Sequence, residues 1–252
     1  MVRGLDIFRD HFKDYGQHYV LIGGTAGTVA MEEVGIGFRA TSDLDIVLCV
    51  EALDVDFVKI FWDFINNGKY QNQQKSTGRR LFYRFYDPVD TNYPKMLELF
   101  SRKPDALHYE GNGNLTPIPL DEEVSSLSAI LLDDDYYSFI HARKQVVDGL
   151  SIVSPECLIT LKARAWLDLT RRKDEGEDIH SNDIKKHKND VFRLYPLLTP
   201  EHTINLPDSI KNDFRKFISK IESGEPVQLK DLMRTDDNLD NILTNLKTIY
   251  NL

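Results

Sequence analysis

Short apolar runs alternate with helical spacings of apolar residues along the first hundred positions of the chain. Two largely apolar runs predict buried strands: Tyr19–Ile22 and Leu44–Val50. Periodic apolar positions or a proline-free stretch predict helices over three segments: Leu5–Tyr15, Thr25–Val34 and Asp56–Asn67. Two more strands are predicted: Leu81–Tyr86 and Met96–Phe100. This alternation predicts a mixed sheet with helices packed against it.

Beyond Ser154 the pattern becomes helical throughout. Ser154 is a favourable N-cap and Pro155 suits a first helical turn, so a helix is predicted to begin there. Three more helices are predicted: from Asn182 or Asp183, over Ser209–Ile221 and over Asp240–Tyr250. We therefore expect an α+β domain over residues 1–153 and a mainly helical C-terminal region over residues 154–252.

The segment between these two parts gives weaker signals. Gly111–Pro119 is rich in turn formers and predicts a loop, and Asp133–Asp135 predicts a turn. Ser128–Leu132 and Gln145–Val153 are predicted to form a pair of strands.

Composition and charge narrow the class of protein. The 252 residues carry a formal charge of −9, and a field of that sign does not attract nucleic acid as a whole. The basic runs Arg171–Lys173 and Lys185–Lys188 indicate either a local basic surface or two solvated helix faces. Apolar runs are too short for a membrane span, so no membrane partner is expected. Charges near Met1 and two isolated cysteines favour a cytoplasmic protein.

Two glycines follow the first predicted strand and precede a predicted helix. Gly23 and Gly24 allow backbone N–H groups to approach an anion, and Thr25 is placed to cap the helix. A triphosphate would fit such a turn. A plain tight turn is the alternative interpretation of the glycine pair.

Three acidic residues lie in or beside predicted strands. Asp43 and Asp45 are two positions apart, so their side chains lie on one face of a strand, where a cation would relieve their mutual repulsion. Glu98 interrupts the apolar strand Met96–Phe100, and a carboxylate there needs a partner. If the two strands are neighbours, the three acids converge and can hold two divalent ions for an in-line phosphoryl displacement. An exposed acidic strand start is the alternative for the two aspartates.

Taken together, Gly23-Gly24-Thr25 and Arg39-Ala40-Thr41-Ser42-Asp43-Leu44-Asp45-Ile46-Val47 resemble the signature of the nucleotidyltransferase superfamily. Within it, the chain most resembles AbiEii-type toxins of type IV toxin–antitoxin systems, over residues 18–50, Glu98 and residues 150–198. The resemblance implies a nucleotidyltransferase-like mixed sheet flanked by helices, with a helical C-terminal region closing over the cleft. It also implies Mg²⁺, a nucleoside triphosphate donor and a cognate antitoxin, with the metal on Asp43, Asp45 and Glu98.

The same resemblance implies nucleotide contacts elsewhere in the chain. Lys162 matches a family lysine on the first C-terminal helix, and Asp190 matches the final aspartate of a later family motif, in which His187 replaces an acid. Lys188 lies on the apolar stripe of its predicted helix, where it is expected either to contact an anion such as a triphosphate or to extend past the edge of the stripe into solvent. A helix-face ion pair is the alternative for Asp190, and Arg39 is expected either to face the phosphates or to anchor its loop.

These residues lead to three hypotheses. The first is an enzyme that transfers a nucleoside monophosphate to RNA, such as a tRNA 3′ end, or to a protein side chain. The second is a small-molecule nucleotidyltransferase of the aminoglycoside-modifying kind. The third is an inactive module that binds a nucleoside triphosphate.

Overall fold

The computed structural model describes residues 2–72, 83–102, 115–118, 127–233 and 237–252 of the chain. The chain divides into two compact units, Met1–Ser154 and Pro155–Leu252. None of the helices in the described ranges is long and apolar enough to cross a membrane. The predicted strand Leu81–Tyr86 and the predicted loop Gly111–Pro119 lie partly outside the described residues.

The first unit consists of helices and strands around one sheet. Its elements in chain order are α1 Leu5–His11, β1 Tyr19–Ile22, α2 Gly23–Glu33, β2 Asp43–Leu48, α3 Val55–Gly68, β3 Arg84–Tyr86, β4 Met96–Ser101, β5 Leu115–Ile118, β6 Leu127–Leu131, α4 Asp134–Ala142, β7 Lys144–Val147 and β8 Leu150–Val153.

The sheet of the first unit is mixed. The strand order is β5-β6-β4-β2-β1-β8-β7, and β3 also pairs with β4. Strand β1 is antiparallel to β2 and parallel to β8, while β2 is parallel to β4. These pairings confirm the predicted mixed sheet with helices.

Aromatic side chains from α1 and α3 fill the core beside β1. Phe8 of α1 and Phe12 directly after it contact Phe64 of α3 and Tyr19 of β1, with ring centroids 4.5–6.1 Å apart across this group. All four rings are buried. Because α3 presents Phe57, Phe61, Phe64 and Ile65 on one face, its predicted amphipathic pattern matches its packing. This packing positions β1 and β2, which carry the glycine pair and the two aspartates.

The second unit is helical. Its described elements are α5 Pro155–Asp174, α6 Ser181–Leu194, α7 Asp208–Glu222 and α8 Leu239–Ile249, with short 3-10 helices at Tyr195–Leu197 and Leu229–Asp231. Trp166, Phe214 and Phe217 form its aromatic centre, with Phe214 and Phe217 stacked at 5.9 Å. The four predicted C-terminal helices are confirmed, and every predicted boundary lies within two residues of the observed one.

Several local predictions were wrong. The acidic run beginning at Asp133 starts α4 instead of forming a turn, because the Asp133 carboxylate caps the helix by accepting from the Asp135 N–H at 3.0 Å. Residues 115–118, predicted as loop, form β5.

Two further differences concern strand pairing and helix ends. The segment from Gln145 to Val153 belongs to a hairpin, β7 with β8, and β6 pairs with β4 and β5 instead. Helix α1 ends at His11, four residues before the predicted end at Tyr15.

Candidate functional site

The turn between β1 and α2 brings the backbone of Gly23 next to Asp45. Strand β1 ends at Ile22, which is register-paired with Asp45 of β2, and α2 begins at the next residue. Gly23 has φ +69°, and a Cβ added to it would lie 1.9 Å from Oδ2 of Asp45. Only glycine adopts this conformation readily and leaves this space. The Asp45 carboxylate therefore lies directly on the turn.

The loop before β2 packs along one face of α2. A Cβ on Gly24 would lie 2.7 Å from Oγ1 of Thr41 and 3.3 Å from Nη2 of Arg39. The Thr25 hydroxyl donates a hydrogen bond to the Asp43 carbonyl at 2.8 Å. The sequence predicted Thr25 as the N-cap of α2, and this prediction was wrong. Thr25 lies inside the helix and links it to the start of β2. Arg39 lies over Gly24, beside the turn.

Asp43, Asp45 and Glu98 occupy one face of two neighbouring parallel strands. Asp45 is the register partner of Glu98, and Asp43 is one side-chain repeat earlier on β2. The three side chains are partly buried, whereas Leu44 and Leu97 on the opposite face are fully buried. The three acids could converge only if the strand of the aspartates and the strand of Glu98 were neighbours, and β2 and β4 are neighbours.

An arginine that the sequence analysis did not single out engages Glu98. Arg84 of β3 is the register partner of Glu98 across the antiparallel pair β3–β4. Its Nε donates to Oε1 of Glu98 at 2.7 Å, and its Nη2 donates to the same oxygen. The Glu98 side chain is 13% exposed and that of Arg84 is 43% exposed. The available signal was opposite charges in consecutive predicted strands, which cross-strand pairing favours.

The acids on this face are the residues expected to hold divalent metal ions. In the described ranges, no group of three or more histidine, cysteine, aspartate or glutamate side chains is arranged to hold a metal ion. Glu98 bonds to Arg84 through Oε1, and the expected use of all three acids as metal ligands stays a prediction. Mg²⁺ needs only one or two carboxylates when phosphate and water supply the other ligands. Asp43 and Asp45, on one face beside the glycine turn, meet that requirement.

The residues expected to contact nucleotide in the second unit have protein partners. Lys162 and Asp190 are buried, with Nζ 3.4 Å from Oδ2, and Arg193 donates to Oδ1 of Asp190 at 3.2 Å. Lys188 is also buried and donates to the Glu225 carboxylate at 2.6 Å. The anionic partner of Lys188 is thus Glu225.

The two basic runs are largely compensated by nearby acids. Arg171 bonds to Asp168 and Glu175, and Arg172 bonds to Glu177, so each acid lies three to five positions away along the chain. In the second run, Lys186 bonds to Asp183 in the same way at 3.0 Å. These contacts favour solvated helix faces over a basic surface.

A second polar cluster lies at the opposite end of β2 and β4 from Asp43. Glu51 accepts hydrogen bonds from the Tyr137 hydroxyl at 2.7 Å and from the Arg102 guanidinium at 2.8–2.9 Å. Although partial burial opposes it, these bonds lower the pKa of Glu51. Burial lowers the pKa of the neighbouring His141 below its ordinary 6.5, and it raises that of Tyr137. No local sequence pattern indicates this cluster, because its members come from three distant segments.

Comparison with known proteins gives distant likenesses. No family model and no curated protein matches the chain. Among solved structures, the Megavirus polyadenylate synthase matches at 14% identity and a TM-score of 0.38, over 87% of this chain and 36% of that one. A Helicobacter pylori protein described as a nucleotidyltransferase matches at 15% identity and a TM-score of 0.40, over 97% of this chain and 90% of that one. JHP933 from Helicobacter pylori matches at 19% identity and a TM-score of 0.39, over 97% of this chain and 88% of that one.

The chain spans only about a third of the polyadenylate synthase, 36% of its length. At such identities and TM-scores, the function has to be inferred from the residues of the site.

Proposed function

We propose that the chain is a nucleotidyltransferase that transfers a nucleoside monophosphate from a Mg²⁺-bound nucleoside triphosphate to an acceptor hydroxyl. The observation that carries the proposal is the position of Asp45, whose carboxylate lies on the Gly23 turn while Asp43 shares its strand face. A cation held by the two aspartates would lie beside backbone that glycine leaves open. The sequence resemblance implies a metal on these two aspartates together with Glu98.

Each part of the site has a role in this proposal. Asp43 and Asp45 would hold the metal, which supplies charge neutralisation for the triphosphate when it is bound. Arg39, over Gly24, would contact the phosphates from the other side of the turn. Thr25 fixes the distance between α2 and β2 through its bond to the Asp43 carbonyl.

The transfer step is a displacement at the α-phosphorus. The acceptor oxygen forms a bond to that phosphorus, the bond to the bridging oxygen breaks, and pyrophosphate leaves. The acceptor proton passes to solvent or to one of the two aspartates. Positioning and charge stabilisation account for most of the catalysis in such reactions.

The acceptor classes that the resemblance implies are RNA and protein side chains, in a toxin-like role with a cognate antitoxin. Because acids compensate the two basic runs, they supply no independent argument for RNA. A cationic small molecule of the aminoglycoside kind is the competing acceptor.

Label transfer tests the proposal directly. The purified chain is incubated with Mg²⁺ and each nucleoside triphosphate labelled at the α- or the γ-phosphate. Total cellular RNA, lysate protein and an aminoglycoside are supplied as separate acceptors. We expect the α-label alone to reach one acceptor class, Asp45→Asn to abolish transfer, and Asp56→Asn, an exposed aspartate in the first turn of α3, to retain it.

The other outcomes are equally informative. Transfer of the γ-label would identify a kinase instead. Binding of the nucleotide without transfer to any of the three acceptors would identify an inactive binding module, and the transferase proposal would fail.

A further inference from the structure

A cavity of about 500 Å³ lies within the second unit. Its walls are formed by α5, α6 and the segment 225–232. All of its lining residues belong to that unit, and none of them has a role in the proposed function. Sites for small molecules have volumes of about 300–1,000 Å³, so the cavity is large enough to hold one.

Helix α6 presents a row of hydrogen-bond donors to the cavity. Lys185, Asn189 and Arg193 follow one another at four-residue spacing, which places them in one row along the helix, and all three line the cavity. An ammonium, a carboxamide and a guanidinium in one row suit the oxygens of a carboxylate, phosphate or sulfonate group.

Two basic side chains of this wall have donors left for a ligand. The side chain of Lys188 is 5% exposed, and two of its three N–H donors bond to the Glu225 carboxylate and the Pro226 carbonyl, each at 2.6 Å. Arg193 uses Nη1 for Asp190 at 3.2 Å. Within the described part of the chain, the two side chains make no other bonds. Because a largely buried donor without a partner is costly, an anionic group in the cavity would be stabilised here.

The opposite wall offers an apolar surface. Trp166 of α5 lines the cavity, and its indole packs edge-to-face against Phe217 at 5.4 Å. Ile184 and Leu232 line the cavity as well. An aromatic ring on a ligand would therefore bury apolar area against these side chains.

Two carboxylates in the lining restrict the kind of anion. Asp174 and Asp231 also line the cavity. They repel a bare inorganic anion, whereas amino or hydroxyl groups on a ligand would donate hydrogen bonds to them. A ligand that satisfies both the donor row and these acids is an anion with hydrogen-bond donors of its own.

We propose that this cavity is a binding site for a small organic anion that carries an aromatic ring and an amino or hydroxyl group. The anionic group lies along Lys185, Asn189 and Arg193, and the ring contacts Trp166. The inference does not depend on the proposed function, because the site lies wholly within the second unit.

A pair of fluorescent probes tests the proposal on the full chain. The first probe is 8-anilinonaphthalene-1-sulfonate, an aromatic anion with one N–H group, and the second is N-phenyl-1-naphthylamine, which has the same rings without the sulfonate. We expect one bound molecule of the anionic probe per chain and at least about tenfold weaker binding of the neutral one. The competitors 4-aminosalicylate and 4-aminophenyl phosphate then show whether the preferred anionic group is a carboxylate or a phosphate.

Variants assign the bound probe to the cavity. We expect Lys185→Gln to weaken binding of the anionic probe about tenfold. Thr170→Trp should abolish it, because the larger side chain fills the cavity from α5. The matched control is Lys186→Gln, which removes the same charge from the next residue of α6 but lies outside the cavity lining. It should bind the probe like the wild type, and so should Asp45→Asn.

Each contrary result has a defined consequence. Equal affinity for the two probes, or displacement by neither competitor, would overturn the proposed class of ligand. Equal weakening by Lys185→Gln and Lys186→Gln, or no weakening by either, would overturn the site. Circular dichroism checks that each variant is folded, and if Thr170→Trp does not fold, the comparison of the two lysine variants decides. All of these results leave the proposed nucleotidyl transfer untouched, because Asp45→Asn tests that activity separately.

Discussion

Replacing Gly23 by alanine tests whether the turn is built around Asp45. Two costs follow from the structure. An alanine at φ +69° costs about 1–2 kcal/mol relative to glycine. Its Cβ would also lie 1.9 Å from Oδ2 of Asp45, where ordinary contacts begin near 3.4 Å, so the carboxylate must move. Overpacking of that kind costs about 1–3 kcal/mol more.

Gly35→Ala separates the two costs. Gly35 follows α2 with φ +74°, and an added Cβ there meets no atom within 4 Å. The variant therefore pays the conformational cost alone, and any entropy lost from the unfolded chain is common to both variants. We expect Gly23→Ala to be less stable than Gly35→Ala by about 1–3 kcal/mol.

Urea unfolding measured by tryptophan fluorescence provides the assay. Trp62 is the only tryptophan of the first unit, so a Trp166→Phe background reports that unit without a signal from the second. Nucleotide transfer and Mn²⁺ binding are measured on the same samples, and we expect both to fall in Gly23→Ala only. Equal stabilities of the two variants, together with full activity of Gly23→Ala, would refute the proposed contact between the turn and Asp45.

Three further predictions concern stability and reactivity. Asp190→Asn should lower the free energy of unfolding by about 3–5 kcal/mol in a urea titration, because buried Lys162 loses its carboxylate partner. Asp183→Asn, at an exposed pair, should lower it by under about 1 kcal/mol, and equal losses would contradict a stabilising buried pair. Burial raises the pKa of Cys49 to about 12, so iodoacetamide should leave this thiol unmodified at pH 8 until denaturant is added, as mass spectrometry would show. Burial lowers the pKa of His141, so as the pH falls below 6.5 this histidine takes up a proton in the unfolded chain before it does so in the folded one. The free energy of unfolding should therefore decrease as the pH decreases in that range, and urea titrations should show a weaker decrease for His141→Gln.

Local patterns in the sequence predicted the elements that carry the site. The apolar run Tyr19–Ile22 formed β1, and the spacing of Asp43 and Asp45 placed both on one face, because side-chain direction in a strand depends on residue parity alone. The start of α2 was predicted two residues late, since Thr25 looks like an N-cap but bonds to the Asp43 carbonyl instead. Where a hydroxyl finds its partner depends on the path of the whole loop, which no local pattern contains.

Long-range pairing accounts for the other differences. The partner of Glu98 is decided by the antiparallel register of β3, and the partner of Lys188 by a segment that follows a different helix, so neither could be read from spacing. The start of α4 was missed for a different reason. Asp133 suits both a turn and a helix N-cap, and the aromatic residues after it decide in favour of the helix by packing into the core.

The position of β8 has a consequence for how the protein folds as it is made. Strand β1 lies inside the sheet and bonds on one side to β8, through the pair Leu21 and Ile152, which come from opposite ends of the first unit. At about 5–20 residues per second, a ribosome needs on the order of ten seconds to produce the chain between them. Throughout that interval β1 has an unfilled edge, which in nascent chains is a site for chaperone capture or mispairing. Slowed translation before residue 150 should therefore lower the yield of correctly folded protein more than slowed translation after residue 154.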